Sequence, residues 1–147
     1  MRVMRGANFS LIVLMLLLSA GCNLKKTVVG GVPPEVESVV GTVTDDIAQE
    51  HYDKLYTESS ELWKRDATPQ QSADTLKTLH AKLGKVESRT IHSATEQQNS
   101  GGPLKGRAFI ITYQTKFERG EAMETFTLVE EHGHWKLARY LVNSTAL

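Results

Sequence analysis

Three features of the chain predict an α+β domain, with three N-terminal helices packed on one face of a four-stranded antiparallel, curved sheet. Apolar residues recur at spacings of three and four up to Gly84, then alternate at a period of two from Val86 onward, and Arg119-Gly120 and His132-Gly133 punctuate the alternating half. Helices followed by a run of hairpin-connected strands leave one apolar sheet face to be covered by the helices.

The first helix is read from Val36, Val40, Val43 and Ile47, which form one stripe, although Gly41 and several β-branched residues weaken it. A break near Glu50-His51 separates it from a second helix carrying Tyr52, Leu55, Tyr56, Leu62 and Trp63. The third is the best marked. Thr68 is its N-cap, Pro69 suits the first helical position and Gln71 completes a capping box. Ala73, Leu76, Leu79, His80 and Leu83 make its stripe, and Gly84 suits the residue just past its end.

Strands are expected over Val86–Glu96, Phe109–Phe117, Ala122–Glu130 and Trp135–Asn143. Gln97-Gln98-Asn99-Ser100-Gly101-Gly102-Pro103 is too polar and glycine-rich to be other than a loop. Arg119-Gly120 and His132-Gly133 are read as two-residue hairpin turns.

Ahead of the domain, Arg2 and Arg5 precede an apolar run from Phe9 to Leu18, and Ser19-Ala20-Gly21 leads into Cys22, the only cysteine. This is the layout of a secretory signal peptide. The run is too short to span a bilayer, which takes about 20 apolar residues. A sole cysteine in an exported chain cannot close an internal disulfide, so it needs modification or a partner. Leu18-Ser19-Ala20-Gly21-Cys22 resembles the lipobox of bacterial lipoproteins. That resemblance implies a signal over residues 1–21, removed just before Cys22, and acyl chains on Cys22 that hold the chain to membrane lipid. The expected location is the bacterial cell membrane, facing the periplasm or exterior. Asn23, in place of Asp, favours the outer membrane of a Gram-negative cell. Residues 22–34 are read as a lipidated N-terminus and flexible tether, with Lys25 and Lys26 as solvated charges and paired glycines and prolines after them. Extended, it would reach about 40 Å. Residues 35–147 form the single domain.

Loss of Arg2 and Arg5 with the signal leaves 15 of the 17 basic residues against 17 acidic ones, a formal charge of −2. Lys25-Lys26 is the only lysine doublet, so no basic face exists to neutralise phosphates, and nucleic acid is not an expected partner. His132 and His134 with Glu130 and Glu131 offer nitrogen and oxygen atoms, but read as a polar turn and not as a metal site. There is no Gly-x-Ser-x-Gly elbow, and no glycine-rich loop opens a helix after a strand. Neither a metal nor a cofactor is expected.

Four short stretches carry a second resemblance: Leu83-Gly84-Lys85-Val86-Glu87-Ser88-Arg89, Tyr113-Gln114-Thr115-Lys116-Phe117, Glu124-Thr125-Phe126-Thr127-Leu128 and Gly133-His134-Trp135-Lys136-Leu137. Together they resemble a bacterial family of small exported proteins known only as a domain of unknown function, similar over residues 45–143. The resemblance implies a cone-shaped fold like those of nuclear transport factor 2 and cystatin, and it implies no activity.

If both hairpins turn where expected, Tyr113 faces Phe126, Thr115 faces Glu124, Phe126 faces Arg139 and Glu124 faces Leu141. Glu124 and Arg139 then share the helix-covered face as diagonal neighbours. A buried charge is costly unless paired, so Glu124 is expected to pair with Arg139, with the Tyr113 hydroxyl nearby. These three residues are either a structural pair or the polar floor of a ligand pocket. The function expected is a non-enzymatic, membrane-anchored binding or assembly module with an envelope protein as candidate partner. The alternatives are a small-ligand-binding lipoprotein and an isomerase- or dehydratase-like enzyme working in the cone.

Overall fold

The computed structural model describes residues 24–27 and 31–147. Strand β1 (Leu24–Thr27) is followed by helices α1 (Pro34–Ala48), α2 (Tyr52–Glu58), α3 (Glu61–Asp66) and α4 (Pro69–Leu83). Strands β2 (Val86–Asn99), β3 (Gly106–Phe117), β4 (Gly120–Glu131) and β5 (His134–Asn143) complete the chain. The sheet is antiparallel throughout, in the order β1-β2-β3-β4-β5. The α+β class and the existence of the four principal strands are as expected, but Gln97-Gln98-Asn99, read as loop, continue β2 by pairing with Ala108, Arg107 and Gly106, so β3 starts at Gly106 rather than Phe109. Among the described residues, no helix is long and apolar enough to cross a membrane. Cys22, Asn23 and the signal segment 1–21 lie outside the described residues, as do 28–30 of the expected tether.

The expected second helix is two helices. Ser59 and Ser60 adopt extended conformations with ψ of 165° and 162°. The Ser59 hydroxyl donates to the Leu55 carbonyl at 2.7 Å, while the Ser60 hydroxyl oxygen accepts from the Trp63 N–H at 3.3 Å. Serine side chains compete for the main-chain groups that would continue a helix, and the Ser60 N–H is spent on the Leu137 carbonyl of β5. α4 matches its reading, with both hydrogen bonds of the Thr68–Gln71 capping box in place.

The expected tether is not wholly unstructured. β2 extends past Glu96 to Asn99, and Leu24–Thr27 pairs with its Thr95–Gln98 stretch. A longer β2 presents unpaired main-chain donors and acceptors along its edge, and the N-terminal segment takes them up.

The core lies between the helices and one sheet face. Val36, Val40 and Val43 of α1, Tyr52 and Leu55 of α2 and Leu76 of α4 meet Phe109, Ile111, Phe126, Leu128 and Leu137. α3 is divided between the two faces: its Trp63 packs against this core, while its Leu62 packs on Ala108, Val129 and Ala138. Ala108 and Val129 alternate with the inward Phe109 and Leu128, so Leu62 sits on the opposite side of the sheet.

The registers differ from expectation in two ways. The first hairpin turns at Glu118-Arg119, with Phe117 opposite Gly120, so Tyr113 faces Glu124 and Ile111 faces Phe126. A two-residue slip preserves which face each side chain occupies. The second hairpin does turn at His132-Gly133, where φ values of 53° and 79° give both residues the left-handed backbone of a tight hairpin. Beyond it, a bulge between Thr127 and Leu128 leaves Ala138 unpaired. From there Thr127 faces Arg139, Phe126 faces Tyr140 and Glu124 faces Val142. That single extra residue exchanges the two faces of β5.

Candidate functional site

The site is organised by Glu124, an acidic side chain with no exposed surface in the middle of the covered face. Burying a carboxylate requires partners for its oxygen lone pairs, and four donors supply them. Arg89 donates from Nε to Oε2 at 2.6 Å and from Nη2 to Oε1 at 3.1 Å, a two-pronged guanidinium–carboxylate contact. The Thr115 hydroxyl donates to Oε2 at 2.5 Å and the Tyr140 hydroxyl to Oε1 at 2.5 Å.

Two bulges bring this set together. In β2, Val86 faces Phe117 but Ser88 faces Lys116, so Glu87 is the extra residue and Arg89 turns inward opposite Thr115. In β5, Ala138 is the extra residue and Tyr140 turns inward beside Phe126. Without the β2 bulge strict alternation would send Arg89 to the other face, and without the β5 bulge Tyr140 would point outward and Arg139 inward, so the two bulges decide which arginine meets Glu124. Bulges that re-aim a side chain are a recurrent device next to functional sites.

The sequence-derived set is therefore partly corrected. Glu124 is inward, as expected. Arg139 is not its partner: the Ala138 bulge places Arg139 opposite Thr127, where it is exposed. Tyr113 shares the covered face and directly opposes Glu124, but the hydroxyls that reach the carboxylate are those of Tyr140 and Thr115. Tyr113 instead meets Phe126 edge-on, with ring centres 5.8 Å apart, and Phe126 in turn packs against Tyr140 at 4.9 Å.

The electrostatics follow from the burial. Tyr140 is pushed far above the ordinary tyrosine range, first by burial, then by the negative charge of Glu124 and its hydrogen bond to it. Tyr113 is also raised, chiefly by burial, with the positive charge of Arg89 working against the shift. Both hydroxyls stay protonated at any physiological pH.

A cavity of about 370 Å³ adjoins this cluster, between the C-terminal ends of α1 and α4 and the start of β2. Ile47, Leu76, Leu79, Leu83 and Phe117 supply apolar wall; Arg89 and Tyr140 are its polar floor, and Glu124 lies behind them. His80 also faces the cavity, with Nδ1 3.7 Å from Glu50. A second cavity of about 480 Å³ lies on the other side of Leu76, Leu79 and Tyr140, toward Trp63 and the outer edge of β5. Among the described residues, no three His, Cys, Asp or Glu side chains converge as metal ligands.

Residues 41–140 match the family model described as a protein of unknown function, DUF4019. The chain belongs to that family. All of Arg89, Tyr113, Thr115, Glu124 and Tyr140 fall within the matched residues, whereas Cys22 and β1 precede them. No curated protein matches the chain. Among solved structures it is similar to a scytalone dehydratase candidate from Novosphingobium aromaticivorans, at 12% identity over 76% of this chain and 82% of that one. The TM-score of 0.40 makes this a loose likeness that bears on no residue's role.

Thr115 was legible as an inward neighbour of Glu124, whereas Arg89 and Tyr140 were not. The inward parity of Glu124 was the one available signal, since it demanded a cation somewhere on the same face. Which cation depended on two bulges that leave no mark in the alternation pattern.

Proposed function

We propose that this DUF4019 protein is a membrane-anchored lipoprotein of the bacterial envelope whose domain is a non-enzymatic binding module, holding a small molecule in the cavity beside Arg89 and Tyr140. The observation that carries this reading is the saturation of Glu124. A carboxylate that acts as an acid or base in a cone must exchange a proton with a substrate. Glu124 has no exposed surface and four donors on its two oxygens. It fixes Arg89 and Tyr140 in place, and those two form the floor that an occupant would touch. A cavity walled by apolar side chains with a few oriented polar groups has the composition of a ligand site, and about 370 Å³ lies at the lower end of the size range for such sites. The anchor is supported by the lipobox-like run that ends at Cys22.

The test is a photoreactive amino acid placed at Lys85, which lines the cavity, or at Lys77 on the exposed side of α4, in intact cells. The expected result is a discrete adduct from Lys85 that is missing from Lys77. Identical adducts at both positions, or none at Lys85, would overturn the binding reading.

A further inference from the structure

The two cavities are separated by the same three side chains, Leu76, Leu79 and Tyr140; Leu76 is packed in the core, so a shift of the half-buried Leu79 is what would join them into one groove beneath α4. From this arrangement we infer that the occupant is a single-chain amphiphile bearing one carboxylate. Its head rests on Arg89, and its chain passes under α4, over Tyr140, into the cavity bounded by Trp63 and Leu141. The inference rests on the binding reading above and adds the chemical class of the ligand and its direction.

The head position follows from how Arg89 is held. Its Nε and Nη2 are bound to Glu124, and Nη1 makes no hydrogen bond among the described residues. The side chain keeps 21% of its exposure while Glu124 keeps none. The pair is thus oriented, with the positive end in the cavity and the negative end sealed behind it. Lys85, exposed at the cavity's edge, adds a second positive charge, and Asp45 is the acidic side chain in the same lining. A guanidinium with one free nitrogen offers a single-oxygen contact to a carboxylate, in a setting that is already immobilised.

The tail position follows from the other cavity. Trp63, Ala67, Leu76, Leu79, Ala138 and Leu141 give it a largely apolar lining. Leu141, opposite Thr125 on the uncovered face of β5, is 63% exposed at the strand edge that borders this cavity. Leu79 is half-buried, so it is the side chain at the crossing with room to move aside.

The full chain, reconstituted in phosphatidylcholine nanodiscs, is exposed to a photoreactive palmitic acid and to its methyl ester, and adducts are mapped by peptide mass spectrometry. The acid is expected to label α4 and β5 at least about tenfold more than the ester, as a charge-assisted contact implies. Removing both charges together, Arg89→Met with Glu124→Gln, is expected to equalise the two probes. Lys85→Gln, an exposed change that leaves the fold untouched, is expected to narrow the preference as well. Leu79→Trp should confine labelling to the Lys85 side of the crossing. Equal labelling of the wild-type chain by acid and ester overturns the inference while leaving the binding reading in place. So does a preference that survives both charge-removing variants. Labelling of neither α4 nor β5 by either probe also overturns the inference, whereas the binding reading falls only if the photoreactive amino acid at Lys85 gives no adduct of its own.

Discussion

Arg89 and Glu124 lie 35 residues apart in sequence and meet through two hydrogen bonds of 2.6 and 3.1 Å on the covered face of the sheet. Each is useless there without the other. The carboxylate could not be buried in its charged form without a cation, and the guanidinium would have no fixed direction without the carboxylate. β3 lies between their strands and contributes Thr115, so the contact ties β2 to β4 across it.

Glu124→Ala is therefore expected to be among the most destabilising single changes in the domain. It strands a partly buried Arg89 and removes the acceptor of the Thr115 and Tyr140 hydroxyls, a loss of about 3–5 kcal/mol. Chemical denaturation measures it. The paired change Arg89→Met with Glu124→Gln should cost much less, because no unpaired charge remains. Equal losses from the single and double variants would show that the pair is not coupled.

Arg139→Ala provides the complementary control. An exposed residue opposite Thr127 has nothing buried to lose, so the change in stability should stay within about 0.5 kcal/mol. A loss as large as that from Glu124→Ala would restore the register in which Arg139 is the inward cation.

The contrast between these two arginines explains what was legible in the chain. Alternation put Glu124, Phe126, Ile111 and Tyr113 on one face, and all four are there, because a two-residue slip at the first hairpin moves partners without turning side chains over. Arg139 failed for a different reason. One extra residue at Ala138 inverts parity, and no composition rule distinguishes a bulged strand from a regular one. The α4 boundaries were readable because capping chemistry is local and its residues are named in order. The Ser59-Ser60 break was missed because it depends on a partner 77 residues away, the Leu137 carbonyl that accepts the Ser60 N–H.

Thr68→Ala tests the local end of that scale. Its hydroxyl oxygen accepts from the Gln71 N–H at 3.2 Å, and the Gln71 side chain accepts from the Thr68 N–H at 2.9 Å. Losing an N-cap hydroxyl costs about 1 kcal/mol. The denaturation midpoint should shift by that amount with an unchanged slope, and no shift would mean that α4 does not depend on its box.

Tyr140 should make the domain sensitive to alkali. Its ionisation is raised in the folded chain by burial, reinforced by Glu124, while in the unfolded chain it ionises near pH 10. A group raised in this way contributes its full stability below about pH 10. Above that, the unfolded state gives up its proton and the folded state retains it, so stability falls as pH rises. In an alkaline titration followed by tyrosinate absorbance, Tyr140 should ionise only as the domain unfolds. Tyr140→Phe should lose about 1.5–3 kcal/mol at neutral pH, the worth of a hydrogen bond to a charged group, and should show a shallower decline in alkali. An unchanged alkaline slope would place the sensitivity elsewhere.

Cys22→Ser tests the anchor, which does not draw on the cavity or on the Arg89–Glu124 pair. The sole cysteine closes a short apolar run behind Arg2 and Arg5, and residues of small volume precede it. Acyl chains on that cysteine would supply far more membrane affinity than the neighbouring lysines, since a stable attachment takes two lipid-directed signals and acylation at this position adds more than one chain. The serine variant should leave the membrane fraction or accumulate as an unprocessed precursor. Fractionation of whole cells, with the precursor followed by its mass, separates these outcomes from wild-type behaviour. A variant that is trimmed and stays with the membrane as wild type does would mean that Cys22 carries no lipid. The domain would then be held by something other than its own N-terminus.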